Sequence, residues 1–526
     1  LKHAMIPPNL HFHTPSPAIP WQDYALKIPT ELLPWPHYGP GPHRALVCSY
    51  GIAGTNTYVV VEEAPCQHED MVPVDLPAIT LLPLSAHTPE ALKELAGRYL
   101  THLEGETASE QTLTAITATA SQRRTHHEHR LAIVSCDKRD AHAKLAAFLR
   151  GEFGPEVSSG RQNPYQRQKM AWIFPGQGSQ WLGMGRDLLE QEPVFRATIE
   201  QCDRVMRSYT DWSLLAQLQA DETQTRLHEI DVIQPTLFAI EIALAELWRS
   251  WGITPDVVVG HSMGEAAAAY IAGALSLEDA AWIICARSKL LLRVSGQGAM
   301  AAVELSLEYA RALLSDYSGR VSVGVSNSPN STVLSGDPEA LAEILALLEK
   351  QGIFGRLVNV DVASHSPQMD PLRADLLRLL ERVQPRATAI PMFSTVNGAL
   401  IDGRELTASY WVNNLREPIL FSSAIQSLLA DDYTLFLEIS PHPILVGAIR
   451  QTIEQSKASG LALASLRRQE EGYASLLTTL CVLYTQGCDP TWPHLLHDKG
   501  QHVSLPKYPW QRQRCWNPTL DHSPMR

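Results

Sequence analysis

A serine stands between two glycines in residues 260–265, which read Gly-His-Ser-Met-Gly-Glu. The apolar run at 255–259 predicts a buried strand before this motif, and the alanine-rich run at 266–272 predicts a helix after it. A Gly-x-Ser-x-Gly sequence at a strand-to-helix turn is a nucleophile elbow, which exposes the serine hydroxyl at a sharp bend. The N-terminus of the following helix offers N–H groups to an oxyanion. The motif therefore predicts acyl transfer through a covalent ester of Ser262.

A serine hydroxyl needs a base to become a nucleophile. His365 is the best candidate, because it lies where a predicted inserted subdomain returns to a larger one, a position expected to form a cleft wall. His261 is nearer in sequence, but its place in the turn directs it away from Ser262, and we assign it a supporting role. The chain has 20 histidines, so a capping or core role for His365 remains the alternative.

Arg287 shares one face of a predicted helix with Ile283 and Leu291. A guanidinium on an apolar face needs an anionic partner, because an unpaired buried charge is costly. The partner is either a structural Asp or Glu or the carboxylate of a substrate, which an arginine can bind through two parallel hydrogen bonds. The spacing alone leaves both possibilities open.

A second glycine-rich turn, residues 174–180, reads Phe-Pro-Gly-Gln-Gly-Ser-Gln and follows an apolar run at 170–173. A turn at the carboxyl end of a strand can direct backbone N–H groups at an oxyanion. The sequence fits neither the Walker A motif nor the dinucleotide-binding fingerprint. An ordinary surface loop is the alternative interpretation.

The elements that position these residues alternate between strand and helix from Met170 to about Ala458, which indicates α/β layering. Between about 298 and 362 the order becomes strand, helix, hairpin, helix, strand, which is the ferredoxin-like arrangement. We expect this segment to be a small subdomain inserted into a larger one. Residues 79–155 predict a separate small α/β domain. Residues 1–45 predict an extended segment, and residues 66–78 a linker.

Length, charge and cysteine content predict the number of domains and exclude some classes of partner. A chain of 526 residues is too long for one core and predicts two to four domains. A net charge of -13 argues against nucleic acid as a partner, and no apolar run is long enough to predict a membrane span. The eight cysteines include no Cys-x-x-Cys pair, which favours a reducing cytoplasm. The run His-His-Glu-His at 126–129 predicts a solvated loop, and we expect no metal site.

Taken together, these motifs resemble the acyltransferase domain of modular type I polyketide synthases, relatives of the malonyl-CoA:acyl-carrier-protein transacylases. Residues 176–181 resemble the opening Gly-Gln-Gly-Ser-Gln motif of that family, and residues 260–265 its nucleophile elbow. Arg287 and His365 stand where the family keeps its carboxylate-binding arginine and its catalytic histidine. Three further landmarks lie at 327–336, 410–418 and 440–443.

The resemblance implies a division of the chain into four parts. Residues 1–65 resemble the C-terminal end of a ketosynthase, although Thr57-Tyr58 replaces the Ala-His usual after Asn56. Residues 66–167 resemble the linker domain between ketosynthase and acyltransferase. Residues 168–459 resemble the acyltransferase itself, with an α/β-hydrolase-like large subdomain and the ferredoxin-like insertion. Residues 460–526 resemble the linker that follows the acyltransferase. The ketosynthase motifs that carry condensation lie upstream in the family and are absent here.

The resemblance also implies a mechanism. Ser262, deprotonated by His365, attacks an acyl-CoA thioester, and the backbone N–H groups of Gln177 and Met263 stabilise the oxyanion. Arg287 binds the free carboxylate of a malonyl-type group. The acyl group then passes to the phosphopantetheine thiol of an acyl carrier protein, in ping-pong order. In this family a backbone carbonyl orients the histidine, and no resident cofactor is expected. The expected partners are a carrier protein and the rest of a ketosynthase-containing module.

The choice of extender unit is predicted from Val362, Ala363 and Ser364, which precede the catalytic histidine. Relatives selective for malonyl groups tend to carry His-Ala-Phe-His there, whereas methylmalonyl-selective ones tend to carry Tyr-Ala-Ser-His. Ser364 in place of Phe leaves room for an α-methyl group, which favours methylmalonyl over malonyl. Two departures from the methylmalonyl pattern, Val362 for Tyr and Met263 for Gln, keep malonyl and bulkier groups open.

The alternative enzyme class is a serine esterase or thioesterase, which would not need Arg287.

Overall fold

The computed structural model describes residues 1, 3–36, 39, 41–63, 79–105, 111–163, 165, 167–360, 362–496 and 502–515. It divides the chain into two compact units, Leu1–Asp75 and Leu76–Arg526. The linker predicted at 66–78 and the residues after 515 lie outside the described part. Among the described residues, no helix has the length and apolar character needed to cross a bilayer.

The first unit is built from two antiparallel strand pairs. Strands β1 (Met5–Ile6) and β2 (Leu33–Pro34) form a short pair. Strands β3 (Arg44–Tyr50) and β4 (Asn56–Glu62) pair along their whole length, and Gly54 in the connecting turn has φ of +88°. This left-handed conformation suits glycine because it has no Cβ. Residues 44–62 therefore form a β-hairpin.

The second unit begins with a small α/β domain, as the sequence predicts. Its antiparallel sheet has the order β5-β6-β7. The Thr88 side chain accepts a hydrogen bond from the Ala91 N–H, which caps the first helix. The elements are β5 (Thr80–Ala86), α1 (Pro89–Glu104), α2 (Leu113–Gln122), β6 (His129–Ser135), α3 (Lys138–Arg150) and β7 (Val157–Arg161).

The loop at 126–129, predicted to be solvated, packs against other parts of the second unit. The His126 ring stacks on Trp492, and its Nδ1 lies 2.6 Å from the Tyr484 hydroxyl. Burial lowers the pKa of His126. No group of three or more metal-ligating side chains occurs among the described residues. His126 is thus a packing residue that joins the small domain to the C-terminal part of the chain.

The largest sheet has the order β15-β14-β9-β8-β16-β17, and all its pairs are parallel except β14 with β15. Its inner strands are apolar on both faces because helices cover the sheet on both sides. The strands are β8 (Lys169–Phe174), β9 (Val257–Gly260), β14 (Met392–Ser394), β15 (Ala399–Ile401), β16 (Tyr433–Glu438) and β17 (Leu461–Ala464).

Helices of this part of the chain supply the rest of the large subdomain. They are α4 (Arg186–Gln191), α5 (Pro193–Met206), α6 (Leu214–Gln219), α7 (Ile230–Ser250), α8 (Gly264–Ile271), α9 (Leu277–Leu291), α12 (Arg373–Leu380), α13 (Ala408–Arg416), α14 (Phe421–Ala430) and α15 (Val446–Ser456). The strands and helices give mixed α/β layering. The fuller comparison with an α/β-hydrolase sheet stays a prediction.

A second, four-stranded sheet is inserted between α9 and α12. Its antiparallel order is β11-β12-β10-β13, and it has a small core of its own. Its elements are β10 (Ala299–Val303), α10 (Leu307–Leu313), β11 (Val321–Ser328), β12 (Ser331–Gly336), α11 (Pro338–Lys350) and β13 (Gly355–Leu357). This is the order of elements that the sequence predicts for the inserted segment.

The C-terminal part returns to the small domain. Helix α16 (Gly472–Thr485) packs against β6 and β7, and a short α17 (Trp492–Leu495) follows. An extended segment then runs over the small domain, where the Val503 N–H donates to Thr119 Oγ1 and Leu505 joins the buried core. The residues from α16 onward thereby tie the small domain to the large subdomain.

Candidate active site

Ser262 lies at the carboxyl end of β9, in the turn that leads into α8. Its φ is +56°, a left-handed conformation that is rare for a residue with a side chain. Such strain persists only where the surrounding structure imposes it, and it occurs frequently at active sites. The geometry is that of the predicted nucleophile elbow.

The glycines on either side of Ser262 are explained by close packing. A Cβ at Gly260 would lie 2.2 Å from Glu265 Cα, and a Cβ at Gly264 would lie 2.2 Å from the Phe174 carbonyl oxygen. In each case the obstacle is backbone, which cannot rotate away. The two strands and the helix of the elbow can approach each other only because these two positions lack a side chain.

Replacing Gly264 by alanine is expected to destabilise the protein by about 1–3 kcal/mol, because the added methyl group overpacks the junction between α8 and β8. Gly447 is the matched control, since a Cβ there meets nothing within 4 Å. Thermal unfolding of both variants checks the prediction. Equal melting temperatures for Gly264→Ala and Gly447→Ala would contradict it.

His365 is the partner of the serine. The Ser262 Oγ lies 2.8 Å from His365 Nε2, although the residues are 103 positions apart in the chain. His365 Nδ1 lies 3.1 Å from the backbone carbonyl oxygen of Glu417. If Nδ1–H donates to this carbonyl, Nε2 carries no proton and accepts the serine hydroxyl proton. Sequence reasoning therefore selected the histidine that the structure places on Ser262.

Burial keeps His365 uncharged. Its side chain is 2% exposed, and desolvation together with the nearby Arg287 cation lowers the pKa of His365 to about 3. Burial likewise lowers the pKa of His261 to about 4. Both imidazoles are thus neutral near pH 7, the form in which a ring nitrogen can act as an acceptor.

His261 has the supporting position predicted for it. Its Nε2 lies 3.0 Å from Asn327 Oδ1, and its Nδ1 has no hydrogen-bond partner among the described residues. Its ring lies directly beneath the second glycine-rich turn, because a Cβ at Gly176 would be 3.4 Å from that Nδ1. His261 does not contact the serine hydroxyl, and the second glycine-rich turn also packs directly on the elbow, since a Cβ at Gly176 would be 3.5 Å from Ser262 Cβ.

Two backbone N–H groups belong to residues that line the cavity together with Ser262. Gln177, in the turn after β8, and Met263, which precedes the first residue of α8, both line the same cavity as Ser262. Within the described part of the chain, neither of their backbone N–H groups donates a hydrogen bond. Unpaired donors at the start of a helix are what an oxyanion requires.

Arg287 lies on α9 with its guanidinium in the wall of this cavity. Its Nη2 donates to Ser262 Oγ at 3.1 Å, and its Nη1 donates to Asn414 Oδ1. No Asp or Glu among the described residues forms an ion pair with it. Burial lowers the pKa of Arg287 to about 10, so the side chain is a cation at neutral pH. No carboxylate among the described residues therefore contacts Arg287 directly, although the buried Glu265 carboxyl raises the pKa of Arg287 through space.

The cavity has a volume of about 540 Å³ and lies between the large sheet and the inserted sheet. Val362 and Ser364 line it, as expected of residues that select a substrate. Ala363 does not line it. The Ala363 side chain is 1% exposed and points at Gly298, where a Cβ would be 2.6 Å from the Ala363 Cβ. Ala363 therefore has a packing role, although the residues on both sides of it line the cavity.

Two residues of the site were not assigned roles from the sequence. The Glu417 carbonyl orients the histidine, and Asn414 holds Arg287; both lie in the landmark at 410–418, whose function the sequence did not indicate. Glu417 contributes its backbone carbonyl oxygen, and since every residue has one, the residue type gives no sequence signal for this role. Asn414 had a usable signal, since a buried amide on an apolar helix face must satisfy several hydrogen bonds.

Comparison with known proteins agrees with this geometry. Residues 171–490 match the profile of the acyl transferase domain, and residues 15–134 match the ketoacyl-synthetase C-terminal extension. The first match continues beyond the predicted boundary at 459 and takes in α16. The second match covers most of residues 1–167, the part of the chain predicted to contain a ketosynthase end and a linker domain.

Related sequences are large synthases. The chain is 39% identical over 98% of its length to the polyketide synthase GfsB of Streptomyces halstedii, 38% over 97% to the erythronolide synthase EryA3 of Saccharopolyspora erythraea, and 38% over 98% to the pikromycin synthase component PikAIII of Streptomyces venezuelae. It spans 10%, 16% and 32% of the length of these relatives. The similarity thus concerns one region of each synthase.

Solved structures match the fold. The acyltransferase domain from module 8 of the salinomycin polyketide synthase superimposes with a TM-score of 0.75 at 36% identity, over 79% of this chain and 98% of that one. The acyltransferase domain of ZmaA gives 0.73 at 26% identity, over 82% and 99%. The profile match over residues 171–490 and these solved structures define an acyltransferase. The chain belongs to the acyltransferase domains of modular polyketide synthases.

Proposed function

We propose that this protein loads an extender acyl group from coenzyme A onto the phosphopantetheine thiol of an acyl carrier protein. The observation that carries this proposal is the Arg287 guanidinium, which lies on the nucleophile and has no carboxylate partner among the described residues. A buried cation in a substrate cavity favours an acyl group that brings its own carboxylate. Malonyl-type thioesters meet that requirement.

In the first half-reaction, Ser262 Oγ attacks the thioester carbonyl and passes its proton to His365 Nε2. The backbone N–H groups of Gln177 and Met263 stabilise the resulting oxyanion. The C–S bond then breaks, and the imidazolium returns the proton to the departing thiolate of coenzyme A. Pairing of Arg287 with the acyl carboxylate offsets part of the positive charge that lowers the pKa of His365, which makes the base stronger when the correct substrate is bound.

In the second half-reaction, the carrier-protein thiol gives its proton to His365, and its sulfur attacks the ester carbonyl of acyl-Ser262. The tetrahedral intermediate uses the same two N–H groups. Collapse breaks the C–O bond, and the proton returns to Ser262. Because both thiols use one site in turn, the kinetics are expected to be ping-pong.

The contacts of His365 argue against the esterase alternative. In serine hydrolases of the α/β type, a carboxylate between serine and histidine in the chain orients the imidazole. Here the orienting atom is the backbone oxygen of Glu417, which follows His365 in sequence. A hydrolase of neutral esters would also gain nothing from the unpaired Arg287 beside its nucleophile.

We favour methylmalonyl as the extender group, with malonyl as the alternative. Ser364 lines the cavity and is smaller than the phenylalanine that the resemblance associates with malonyl selectivity. Val362 lines it as well and presents a shorter side chain than tyrosine. Both residues leave space beside the acyl group, which supports a branched substrate without excluding the smaller one.

Replacing Ser364 by phenylalanine is expected to lower kcat/KM for methylmalonyl-CoA relative to malonyl-CoA by about 10-fold or more, because a cavity that excludes one methyl group discriminates by about 1–3 kcal/mol. Competition between the two thioesters, read by intact mass of the acyl-enzyme, measures the ratio. An unchanged ratio would show that Ser364 does not face the α-carbon.

The partners that we propose are a carrier protein, acyl-CoA and the remainder of a ketosynthase-containing module, in the cytoplasm. The hairpin of β3 and β4 supports a protein partner for the first unit, because the apolar side chains of Leu46, Tyr58 and Val60 are exposed on one face, where Leu46 pairs with Val60 and Cys48 with Tyr58. A contiguous apolar surface of this kind is typical of a protein interface. No nucleic acid, membrane or resident cofactor enters this proposal.

The proposed function is tested by mixing the chain with methylmalonyl-CoA, malonyl-CoA and acetyl-CoA in competition and then adding a phosphopantetheinylated carrier protein. We expect a carboxylated acyl group first on the enzyme and then on the carrier, both seen by intact mass. Preferential loading of acetyl, or release of free acid without transfer, would refute the proposal.

A further inference from the structure

The side chain that holds Arg287 is neutral. Arg287 is 4% exposed, and buried cations are normally paired with carboxylates because desolvating an isolated charge is costly. Here Nη1 donates instead to the amide oxygen of Asn414, at 2.5 Å, while Nε has no hydrogen-bond partner among the described residues. The guanidinium is therefore held by Asn414 at Nη1 and contacts the nucleophile through Nη2, and it keeps further N–H donors available for a ligand in the cavity.

The Asn414 amide is fixed in the orientation that presents oxygen to Arg287. Asn414 is fully buried on α13. Its Nδ2 donates to the Ser262 carbonyl oxygen at 3.1 Å and to Glu265 Oε2 at 3.0 Å. Since both of these neighbours are acceptors, the nitrogen of the amide must face them, and Oδ1 is left for the guanidinium.

A carboxyl group is present close by but on the far side of the amide. Glu265 accepts hydrogen bonds from the Thr395 N–H at 2.7 Å and from the Tyr410 hydroxyl, besides that of Asn414. Burial raises the pKa of Glu265. Asn414 thus contacts both the arginine and the only acid of the elbow motif. The Glu265 carboxyl raises the pKa of Arg287 through space, but the two side chains form no ion pair.

We propose that Asn414 is a positioning residue, which fixes the Arg287 guanidinium beside Ser262 through a neutral hydrogen bond and so leaves its charge for the carboxylate of the acyl group. A carboxylate at this position would hold the arginine equally well, but it would compete with the substrate for the same donors. The inference rests on the proposed function, in which Arg287 binds that carboxylate. It assigns to α13 a role in selecting carboxylated acyl groups over acetyl.

The test compares Asn414→Ala and Asn414→Asp with the unmodified full chain, using malonyl-CoA, methylmalonyl-CoA and acetyl-CoA. Acyl-enzyme formation is followed by intact mass at several concentrations. For Asn414→Ala we expect kcat/KM for both carboxylated thioesters to fall about tenfold more than kcat/KM for acetyl-CoA, because the guanidinium loses its tether. For Asn414→Asp we expect a larger fall in this ratio, because the new carboxylate occupies the guanidinium.

Asn413→Ala is the matched control, since Asn413 is an exposed neighbour on the same helix. Circular dichroism checks folding, and the near-isosteric Asn414→Asp carries the test if the alanine variant is unfolded. Equal losses for acetyl and carboxylated groups in the folded variants would overturn the proposal and make Asn414 a support of the elbow alone. A wild-type chain without preference for carboxylated groups would instead refute the proposed function.

Discussion

Replacing Ser262 by alanine is expected to abolish the acyl-enzyme and to lower transfer to a carrier protein by about 10⁴-fold or more, the scale of loss for nucleophiles of this kind. The reason is that Oγ is the atom that forms the covalent bond and also the atom that His365 Nε2 contacts at 2.8 Å. Intact mass after brief exposure to acyl-CoA measures the adduct directly.

Ser318→Ala is a suitable control for that experiment, because Ser318 is an exposed residue of the inserted subdomain. It should carry the same adduct as the unmodified chain. An adduct of undiminished yield on Ser262→Ala would mean that another residue is acylated. The elbow geometry would then be structural, and the proposed mechanism would be wrong at its first step.

Replacing Arg287 by alanine is expected to lower kcat/KM for malonyl-CoA and methylmalonyl-CoA by about 100-fold, which corresponds to losing about 2–3 kcal/mol of charge-assisted hydrogen bonding. The loss for acetyl-CoA should be much smaller, because acetyl has no carboxylate. Removing the cation also removes one of the causes that lower the pKa of His365. The preference should therefore shift towards acetyl.

The same competition experiment measures this shift, with Arg311→Ala as a control at an exposed arginine outside the cavity. A fall of equal size for acetyl and malonyl groups would assign Arg287 a structural role. The alanine variant also leaves Asn414 Oδ1 without its donor, so thermal unfolding should accompany the kinetics. A folded variant that still prefers malonyl would refute carboxylate binding by Arg287.

The small domain and the inserted sheet were predictable because their signals are local. Alternating apolar residues and caps such as Thr88 each specify a strand or helix within a few residues. The predictions erred where distant packing decides the outcome. The loop at 126–129 is polar in sequence, yet His126 is stacked on Trp492, which lies far along the chain.

Residues 362–364, which were predicted to select the substrate, also show that distant packing limits prediction from sequence. Val362, Ala363 and Ser364 are adjacent, and sequence similarity treated them as one determinant. Whether each side chain points into the cavity depends on the backbone path between the two subdomains. That path turns Ala363 towards Gly298 and leaves its two neighbours on the cavity wall.

By itself, the sequence determined the family, the elbow serine and the candidate roles of His365 and Arg287. The elbow is a contiguous strand, turn and helix, so its conformation follows from local residue types. The tertiary structure alone decided what surrounds these groups. It identified Glu417 as the source of the backbone carbonyl that the resemblance implied, and it placed the neutral amide of Asn414 on the arginine. A carbonyl belongs to every residue, and a buried amide acquires its particular partners only when distant helices meet.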